Sequence, residues 1–579
     1  MKRLSAYLPQ LAALFGVAML SCSSGAHAQW SSDASDNLIV SDLAGGSTQP
    51  KMVPTPDGGF YVSWFGSTAG FDIYLQRLDA QGNELWPHDG ILIADRNYGF
   101  TYDYGLAVDA DGNALVSFNC CENNSPTEHI VVNKVTPDGT LPWGANGITV
   151  STAAETVYNA LVTATTDGDA VVAWTADSGV RAQKLDAAGN SVWTDGGVVL
   201  DQPASALKLL GGLQAAEDGD AIASWSNQSG SARILYAQKL AAADGAAVWD
   251  GGVRVFGEGN LQSGYFPPFS SDGAGGGVFW DYDVTGVTTN ARVQHLDSGG
   301  NALLGANGAL ATTDVVNEHT DTAASFDPQS GDIYVAWRDN FTDNGGHTFD
   351  GVSAQRIDAA GNRSWGDTGK VLVPLTDSTD STFAISQVTA LPTAGGFLAG
   401  WATGAIPAAD QPITISRLDA SGNYVWSTPS VNVKTSRYSA RTVGAISTNG
   451  YAAYAWQDGD DGAGVSTIRA QNLNLDGTLG MPSAAMHTLG GTLEGLLGSG
   501  LVLQVNGGDD LALSADGSFV FPTPLAQDST YAVSVMTQPS APAQTCTIAN
   551  GDGTIGTTDV TDVVVTCMAS DSIFANGFE

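Results

Sequence analysis

A ten-residue pattern recurs along the chain and constrains its fold more than any other feature. Lys184 to Trp193 reads KLDAAGNSVW, and close copies end at Trp86, Trp365 and Trp426. The turn glycine of the pattern recurs with separations of 50 to 61 residues, at Gly82, Gly139, Gly189, Gly245, Gly300, Gly361, Gly422 and Gly477. Because most solenoid repeats are shorter, this period predicts a β-propeller with one blade for each copy.

Each repeat unit divides into four short strands. In the first unit KMVPTP leads into an Asp-Gly turn, then GFYVSW, then IYLQRLD, and after the ten-residue pattern ILIA. Alternating β-branched and aromatic residues, punctuated by Gly, Asp and Asn, are typical of strands, and no stretch has a sustained helical period. DNLIVSDLAGG, residues 36–46, resembles the end of a unit and is expected to close the last blade. The sequence therefore predicts an all-β chain with an eight-bladed propeller over residues 29–488.

The pattern itself has a structural explanation. Asp186 and Gly189 stand at the first and fourth positions of a type I turn, where the carboxylate accepts backbone N–H bonds and glycine takes a positive φ. Four residues later, Trp193 is positioned to fold back onto the neighbouring blade and bury its ring. We therefore expect the tryptophans of the pattern to lie between blades, namely Trp86, Trp193, Trp249, Trp365 and Trp426, with Leu304 and Met481 in the equivalent place in two copies.

These residues resemble known repeat families. D-x-x-G-N-x-x-W resembles the tryptophan-docking motif of PQQ-type propeller repeats, with one residue fewer between Asp and Gly. The whole unit is similar to delta-60-type repeats of secreted bacterial proteins. The resemblance covers about Asn37 to Thr488 and implies the propeller fold without implying an activity.

The N-terminus has the features of a secretory signal peptide over residues 1–28. A basic start is followed by the apolar run LAALFGVAML and the small-residue site Ala26-His27-Ala28. Cys22 gives an alternative interpretation as a lipoprotein acylation site. The mature chain is expected to be secreted, extracellular or on the cell surface. Its 60 acidic against 22 basic residues give a net charge of −38, which disfavours nucleic acid as a partner.

The residues after the last repeat differ in pattern. Residues 489–569 have turn signals about every ten residues and resemble small Ig-like β-sandwich modules of bacterial surface and secreted proteins. Residues 570–579 end in SIFANGFE, which resembles a short tail of some exported proteobacterial proteins. Four cysteines remain after signal removal and allow three disulfide connectivities. Their separations favour Cys546 with Cys567 and Cys120 with Cys121.

No catalytic motif is present: HExxH, GxSxG and the P-loop are all missing. On an antiparallel blade, the loops between second and third strands share one face with the links between blades, and these segments are long and varied. Loops of this kind are the usual ligand face. Candidate ligand-face residues are Asp281, Asp283, Asp339, Asp343 and Asp350, and the candidate calcium ligands in QDGDDGAG are Asp458, Asp460 and Asp461. Merely solvated acidic loops remain the alternative.

The sequence predicts a non-enzymatic binding or cell-surface interaction protein whose ligand is not identified and belongs to either of two classes, glycan or protein. The alternative is a propeller enzyme, either a quinoprotein-like oxidoreductase or a carbohydrate-active enzyme. The quinoprotein alternative depends on the adjacent Cys120 and Cys121. They resemble the vicinal disulfide above the quinone of PQQ-dependent dehydrogenases, although no matching set of quinone and calcium ligands is found. No cofactor is expected other than calcium.

Overall fold

The computed structural model describes residues 29–67, 70–95, 103–121, 128–151, 155–200, 207–249, 251–286, 288–379, 383–404, 410–435, 439–459, 465–482, 486–526, 529–556 and 558–569. Strands form nearly all of the regular structure in these residues, and a 3₁₀ turn at Glu217–Gly219 interrupts them. Among the described residues, no helix has the length and apolarity that a membrane span would require.

The strands up to Leu473 form sheets of four, and strands consecutive in the chain are neighbours. The chain begins with β1 (Leu38–Ser41). Sheet 1 contains β2 (Ser47–Pro54), β3 (Phe60–Gly66), β4 (Asp72–Leu78) and β5 (Ile91–Ala94). Sheet 2 contains β6 (Gly105–Val108), β7 (Ala114–Cys121), β8 (Glu128–Val135) and β9 (Ile148–Thr149). Sheet 3 contains β10 (Val157–Ala164), β11 (Ala170–Ala176), β12 (Gly179–Leu185) and β13 (Val198–Leu200). Sheet 4 contains β14 (Leu207–Ala215), β15 (Ala221–Ser229), β16 (Ala232–Leu240) and β17 (Val253–Arg254).

The same plan continues through the second half of the repeats. Sheet 5 contains β18 (Phe269–Ser271), β19 (Gly277–Asp283), β20 (Asn290–Leu296) and β21 (Ala309–Leu310). Sheet 6 contains β22 (Glu318–Asp327), β23 (Asp332–Thr342), β24 (Thr348–Ile357) and β25 (Lys370–Asp377). Sheet 7 contains β26 (Ile385–Thr393), β27 (Gly396–Thr403), β28 (Ile413–Asp419) and β29 (Val431–Lys434). Sheet 8 contains β30 (Ser439–Ile446), β31 (Ala452–Asp458) and β32 (Thr467–Leu473), and β1 completes it by antiparallel pairing with β32.

The sheets are arranged as a β-propeller. Each sheet contacts the next one in the chain, and sheet 1 also contacts sheet 8 through β2, β30 and β31. In most neighbouring pairs the first strand of one sheet touches the first strand of the next, as β2 touches β6 and β26 touches β30. These first strands therefore lie nearest the centre of the ring. The all-β propeller architecture expected from the repeat is confirmed, and residues 36–46 include the closing strand β1.

The ten-residue pattern joins neighbouring sheets, as its chemistry predicts. Asp186 Oδ1 accepts the backbone N–H of Asn190 at 2.8 Å, and Gly189 has a φ of +86°. Trp193 is 4 % exposed and donates from Nε1 to the carbonyl of Ala242 in the turn of the next sheet, at 3.0 Å. Trp249, Trp365 and Trp426 make the equivalent bond to Ser298, Ala420 and Leu475. Trp86 is also buried, whereas Trp365 is only partly buried.

Strands after residue 485 form separate sheets. They are β33 (Met486–His487), β34 (Leu489–Glu494), β35 (Leu501–Val505), β36 (Asp509–Leu513), β37 (Gly517–Val520), β38 (Leu525–Ala526), β39 (Thr530–Thr537), β40 (Gln544–Ala549), β41 (Asp552–Thr554) and β42 (Val560–Ala569). One sheet has the order β37-β34-β42-β40 and a second has the order β36-β35-β39-β41. Apolar side chains from both sheets form one cluster that includes Leu493, Leu503 and Val565. The Ig-like assignment of this module stays a prediction.

A disulfide joins Cys546 and Cys567, as the separation of the cysteines predicted. The two residues face each other on β40 and β42, which pair antiparallel. Both side chains are buried within the apolar cluster of the C-terminal sheets. The bond therefore links strands that are already neighbours in the sheet.

Candidate ligand-binding face

The segments between second and third strands lie at the same end of each sheet as the links between sheets. We call this end the variable face. Two of its predicted loops are shorter than expected, because β23 continues to Thr342 and β24 begins at Thr348, so most of Arg338–Gly351 is a strand hairpin. Residues on both sides of this turn pair as antiparallel strands. The sequence interpretation had assigned them to a loop. Similarly, β7 continues to Cys121 and β8 begins at Glu128.

The first strand of each sheet begins near the variable face and presents an equivalent position there. In sheet 1, for example, Thr55 is the first residue of the turn between the first and second strands, and the position lies six residues before it. Its occupants, which we call the inner-ring residues, are Gln49, Asp103, Asn159, Leu210, Phe266, Asp321, Gln387 and Arg441. Six of these eight side chains are polar or charged. A set of polar residues thus surrounds the centre of the ring at this end.

Five inner-ring residues have a left-handed backbone although none of the five is glycine. Their φ values are +55° at Gln49, +53° at Asn159, +49° at Asp321, +57° at Gln387 and +55° at Arg441. At each of the five, the pairing of the first strand with the second shifts register, which marks a β-bulge. A left-handed non-glycine residue costs about 1 kcal/mol or more, and bulges redirect side chains, often beside functional sites.

Some inner-ring side chains join neighbouring first strands. Gln387 Oε1 accepts the backbone N–H of Thr442 at 2.7 Å, and its Nε2 donates to the carbonyl of Ser439 at 3.1 Å. Asn159 Oδ1 accepts the N–H of Asp103 at 3.3 Å. Gln49 Oε1 is buried and has no hydrogen-bond partner among the described residues. Side chains at the bulges therefore form hydrogen bonds between neighbouring sheets, whereas the Gln49 oxygen accepts none from the described residues.

Polar groups with unusual surroundings lie together where sheets 5 and 6 meet, and we call this place the sheet 5–6 junction. The rings of Tyr265 and Tyr282 have centroids 4.5 Å apart, and Tyr282 donates from its hydroxyl to Gln262 Oε1 at 2.9 Å. The Tyr265 hydroxyl is buried and makes no hydrogen bond to any part of the chain that the structure describes. Burial raises its pKa well above the usual value, and the charges of Asp281 and Asp321 act in the same direction. An unpaired phenol therefore lies close to carboxylates.

Asp321 is the inner-ring carboxylate of the sheet 5–6 junction. Its side chain is 42 % exposed, and its nearest cationic group is Arg338 Nη1, at 4.0 Å. Burial raises the pKa of Asp321, the Arg338 guanidinium opposes this, and the Asp350 carboxylate adds to the increase. The carboxylate is therefore reachable from solvent, although its surroundings disfavour its ionised form. Asp321 and Tyr265 are candidate functional residues that sequence reasoning missed.

The predicted ligand-face residues of sheet 5 are held in an ion-pair cluster. Asp281 is fully buried and receives two bonds from Arg292, from Nε at 2.6 Å and from Nη2 at 2.9 Å. The Asp283 carboxylate accepts the backbone N–H of Asn260 at 2.7 Å and lies 3.8 Å from Arg292 Nη1. The Arg292 guanidinium also stacks on Phe256, 4.0 Å from the ring centroid. Asp281 therefore joins two strands of the sheet through Arg292, and its ligand role stays a prediction.

The candidates of sheet 6 are similarly engaged. Asp339 accepts hydrogen bonds from Trp337 Nε1 at 2.7 Å and Ser353 Oγ at 2.5 Å, and His319 Nδ1 lies 2.8 Å away. Asp350 is almost fully buried and receives bonds from Arg338 Nε and Asn340 Nδ2, both at 2.8 Å. A ligand role for these two aspartates would compete with the bonds that hold the sheet.

Asp343 caps the exposed turn of the β23–β24 hairpin. Its carboxylate accepts the backbone N–H groups of Gly345 and His347, at 2.7 and 2.9 Å. Hydrogen bonds from His347 lower the pKa of Asp343. These bonds are those of an ordinary Asp turn. The predicted ligand-face set is therefore not brought together at one point, and each member has a local partner.

The predicted calcium loop is described only in part. Asp458 is 1 % exposed and its carboxylate oxygens lie 3.0 Å from Arg469 Nε and 3.8 Å from Lys434 Nζ. Two cations thus already neutralise it. Asp460 and Asp461 lie outside the described residues. The side chain of Cys121 is likewise outside the description, so the calcium site and the Cys120–Cys121 disulfide both stay predictions.

Comparison with known proteins adds little beyond the architecture. No protein-family model matches the chain, and no curated protein matches it. A polysaccharide lyase of the PL25 ulvan lyase family, bound to -[GlcA(1-4)Rha3S]-, is 11 % identical with a TM-score of 0.37, over 78 % of this chain and 96 % of that chain. A fungal alcohol oxidase of the AA5 family in complex with copper is 10 % identical with a TM-score of 0.37, over 93 % and 91 %.

A third solved structure is the alpha-L-arabinanase of Penicillium chrysogenum complexed with arabinobiose. It is 11 % identical with a TM-score of 0.32, over 75 % of this chain and 97 % of the other. Values this low give no residue correspondence and no guide to the reaction or ligand of this chain.

Proposed function

We propose that this protein is exported and binds an uncharged, hydroxyl-rich ligand, a neutral oligosaccharide, at the sheet 5–6 junction. The observation that carries the proposal is the proximity of the unpaired Tyr265 hydroxyl to the partly exposed Asp321 carboxylate. A buried hydroxyl without a partner costs stability, unless a ligand supplies the missing hydrogen bond. The left-handed φ of Asp321 is a further cost that a binding role would explain.

The chemical class of the ligand follows from the groups around the centre. Sugar hydroxyls both donate and accept hydrogen bonds, so they suit the carboxylate and phenol groups that Asp321 and Tyr265 present. The Tyr265 ring, which is only partly buried, offers an apolar surface for the face of a sugar ring. A net charge of −38 disfavours polyanions. Neutral glycans are therefore favoured over uronate-containing or sulfated ones.

A glycan array tests the class of ligand. The purified mature protein is applied to neutral and acidic glycans at low and at physiological ionic strength. We expect binding to neutral glycans that persists in salt, because no net charge attraction is involved. Binding confined to acidic glycans, or the absence of binding at both ionic strengths, would refute the proposal.

A second candidate function is cleavage of the bound glycan, with Asp321 as proton donor. A raised pKa is the direction of shift that a general acid needs. Glycoside hydrolysis usually needs two carboxyl groups, and Asp350, whose charge adds to the shift at Asp321, is already engaged by Arg338 and Asn340. Incubation with each bound glycan, followed by analysis of reducing ends, distinguishes the two functions. New reducing ends that Asp321→Asn abolishes would show an enzyme, and intact glycan would show a binding protein.

A further inference from the structure

Three side chains of the kinds that bind metal ions lie together where sheet 8 meets sheet 1, away from the proposed glycan site. Asp42 follows the closing strand β1, and His88 and Asp89 lie in the turn between β4 and β5 of sheet 1. One ligand atom from each of these three residues lies within 4.8 Å of the other two. The cluster thus lies where the first and last sheets of the propeller meet.

The geometry of His88 is that of a ligand held by a supporting carboxylate. Its Nδ1 lies 3.0 and 3.1 Å from the two carboxylate oxygens of Glu84, and its Nε2 points to Asp42 Oδ1, 3.4 Å away. A metal-bound histidine usually donates its other ring nitrogen to a carboxylate in this way. Ligand atoms on one tetrahedral zinc ion, with bonds of about 2.0–2.1 Å, lie about 3.3 Å apart. The separation of Nε2 and Oδ1 is therefore suitable for a shared ion.

Asp89 is positioned by the chain independently of any ion. Its Oδ1 accepts hydrogen bonds from Ser41 Oγ and from the backbone N–H of Asp42, both at 2.9 Å. These bonds fix the carboxylate beside Asp42. Asp89 has a φ of +66°, in the left-handed region that non-glycine residues rarely adopt.

The other copies of the repeat show that the first copy is unusual at this place. We call the place four residues after each turn glycine, occupied by Trp86 in the first copy, the docking position. Two residues after it, the first copy has His88, and the other copies have Ala145, Asp195, Gly251, Ala306, Asp367, Thr428 and Ser483. The residue two before the docking position is Glu84 in the first copy, and in the others it is Leu141, Ser191, Ala247, Ala302, Arg363, Tyr424 and Leu479. Histidine and its supporting carboxylate occur together only in the copy that meets the closing strand. A purely structural turn would not need this difference.

We propose that Asp42, His88 and Asp89 bind a divalent transition-metal ion, of the zinc class, that fastens the closing strand to sheet 1. One imidazole and two carboxylates suit zinc, and an imidazole disfavours calcium, which takes oxygen ligands. The three side chains leave a fourth position of a tetrahedral ion for water. Because β1 belongs to sheet 8, an ion that Asp42 shares with His88 and Asp89 joins the last sheet of the ring to the first.

The test is a zinc titration of the full mature chain by calorimetry, with cobalt absorption as a second readout. Burial lowers the pKa of His88, but the Glu84, Asp89 and Asp42 carboxylates outweigh it and raise the pKa, so the titration is run at pH 8. We expect one zinc per chain, at least tenfold weaker binding in His88→Gln and in Asp42→Asn, and a zinc-dependent increase in melting temperature that both variants lose. Glu84→Gln should weaken binding about tenfold through the orientation of the imidazole.

The matched control is His347→Gln. His347 is exposed and lies 3.0 Å from Asp343 four residues earlier, so it has the same histidine–carboxylate spacing as His88 and Glu84. This variant should bind zinc as the wild type does. Equal zinc affinity in wild type and His88→Gln, or a loss of binding in His347→Gln instead, would overturn the proposal. Either result would leave the glycan proposal unaffected, because Asp321 and Tyr265 are unchanged in all of these variants.

Discussion

The indole Nε1 of Trp30 donates a hydrogen bond to the backbone carbonyl of Ala80, at 3.1 Å, across 50 positions of sequence. Ala80 belongs to the turn of sheet 1, and a Cβ atom on the turn glycine, Gly82, would lie 2.7 Å from the Trp30 ring. Trp193 makes the same pair of contacts with Ala242 and Gly245. Trp30 therefore supplies the docking ring between sheets 8 and 1, which Met481, at 51 % exposure, does not supply.

Trp30→Ala should destabilise the propeller by about 3 kcal/mol, because it removes a buried ring from the junction that closes the structure. Urea unfolding followed by far-UV circular dichroism measures the change. Met481→Ala is the control and should change stability by less than about 0.5 kcal/mol, since that side chain is exposed. Equal effects of the two substitutions would show that Trp30 does not dock the ring.

The docking turn is expected to be intolerant of a Cβ atom. Gly245→Ala should cost about 1–3 kcal/mol more than Gly168→Ala, because a Cβ at Gly245 would lie 2.8 Å from the Trp193 indole. Both glycines have positive φ, +72° and +89°, and a Cβ at Gly168 has no atom within 4 Å. The shared backbone cost therefore cancels in the comparison. Identical unfolding midpoints for the two variants would contradict the docking role of the turn.

The Cys546–Cys567 disulfide should stabilise the C-terminal sheets selectively. All 14 tryptophans lie between Trp30 and Trp456, so their fluorescence reports on the propeller. Replacing both cysteines by serine should cost about 3 kcal/mol in the loop-entropy model. We expect a lower unfolding midpoint by circular dichroism, with the tryptophan transition unchanged. A parallel shift of both transitions would mean that the two parts unfold as one.

A buried ion pair should make stability depend on acid. Lys134 Nζ lies 2.8 Å from Asp109 Oδ2, and both side chains are at most 11 % exposed. Burial alone would raise the pKa of Asp109, but hydrogen bonds from Lys134 and Asn113 outweigh it and lower the pKa. The contribution of the carboxylate is therefore complete above about pH 4, near the unfolded value, and is lost as the pH falls through the lower folded value.

Asp109→Asn tests this dependence by thermal unfolding between pH 7 and pH 3. The variant should be less stable by about 3 kcal/mol at pH 7, because Lys134 loses its partner in a buried place. The difference from wild type should decrease toward pH 3. Asp111→Asn, in the same turn but exposed, should follow the wild-type curve. A difference that stays constant with pH would exclude the ion pair as its cause.

Regular features of this fold are visible in the sequence because they repeat. The turn chemistry of Asp186 and Gly189, the closing strand in residues 36–46 and the cysteine pair each have a local signature. Trp30 has none, since it lies outside the pattern and its role depends on closure of the ring. The partner of Asp281 is Arg292 on the neighbouring strand, and such pairs require the strand register. The left-handed backbone conformation of Asp321 likewise could not be predicted from one sequence.

The measurement that tests the central claim most directly is a calorimetric titration with the neutral glycan that binds best on the array. It compares wild type with Asp321→Asn and Tyr265→Phe, and uses Asp367→Asn, whose side chain is 85 % exposed, as the control. We predict at least tenfold weaker binding in Asp321→Asn and in Tyr265→Phe, with wild-type affinity in Asp367→Asn and melting temperatures no lower than that of the wild type. Wild-type affinity in both Asp321→Asn and Tyr265→Phe would contradict the proposed site.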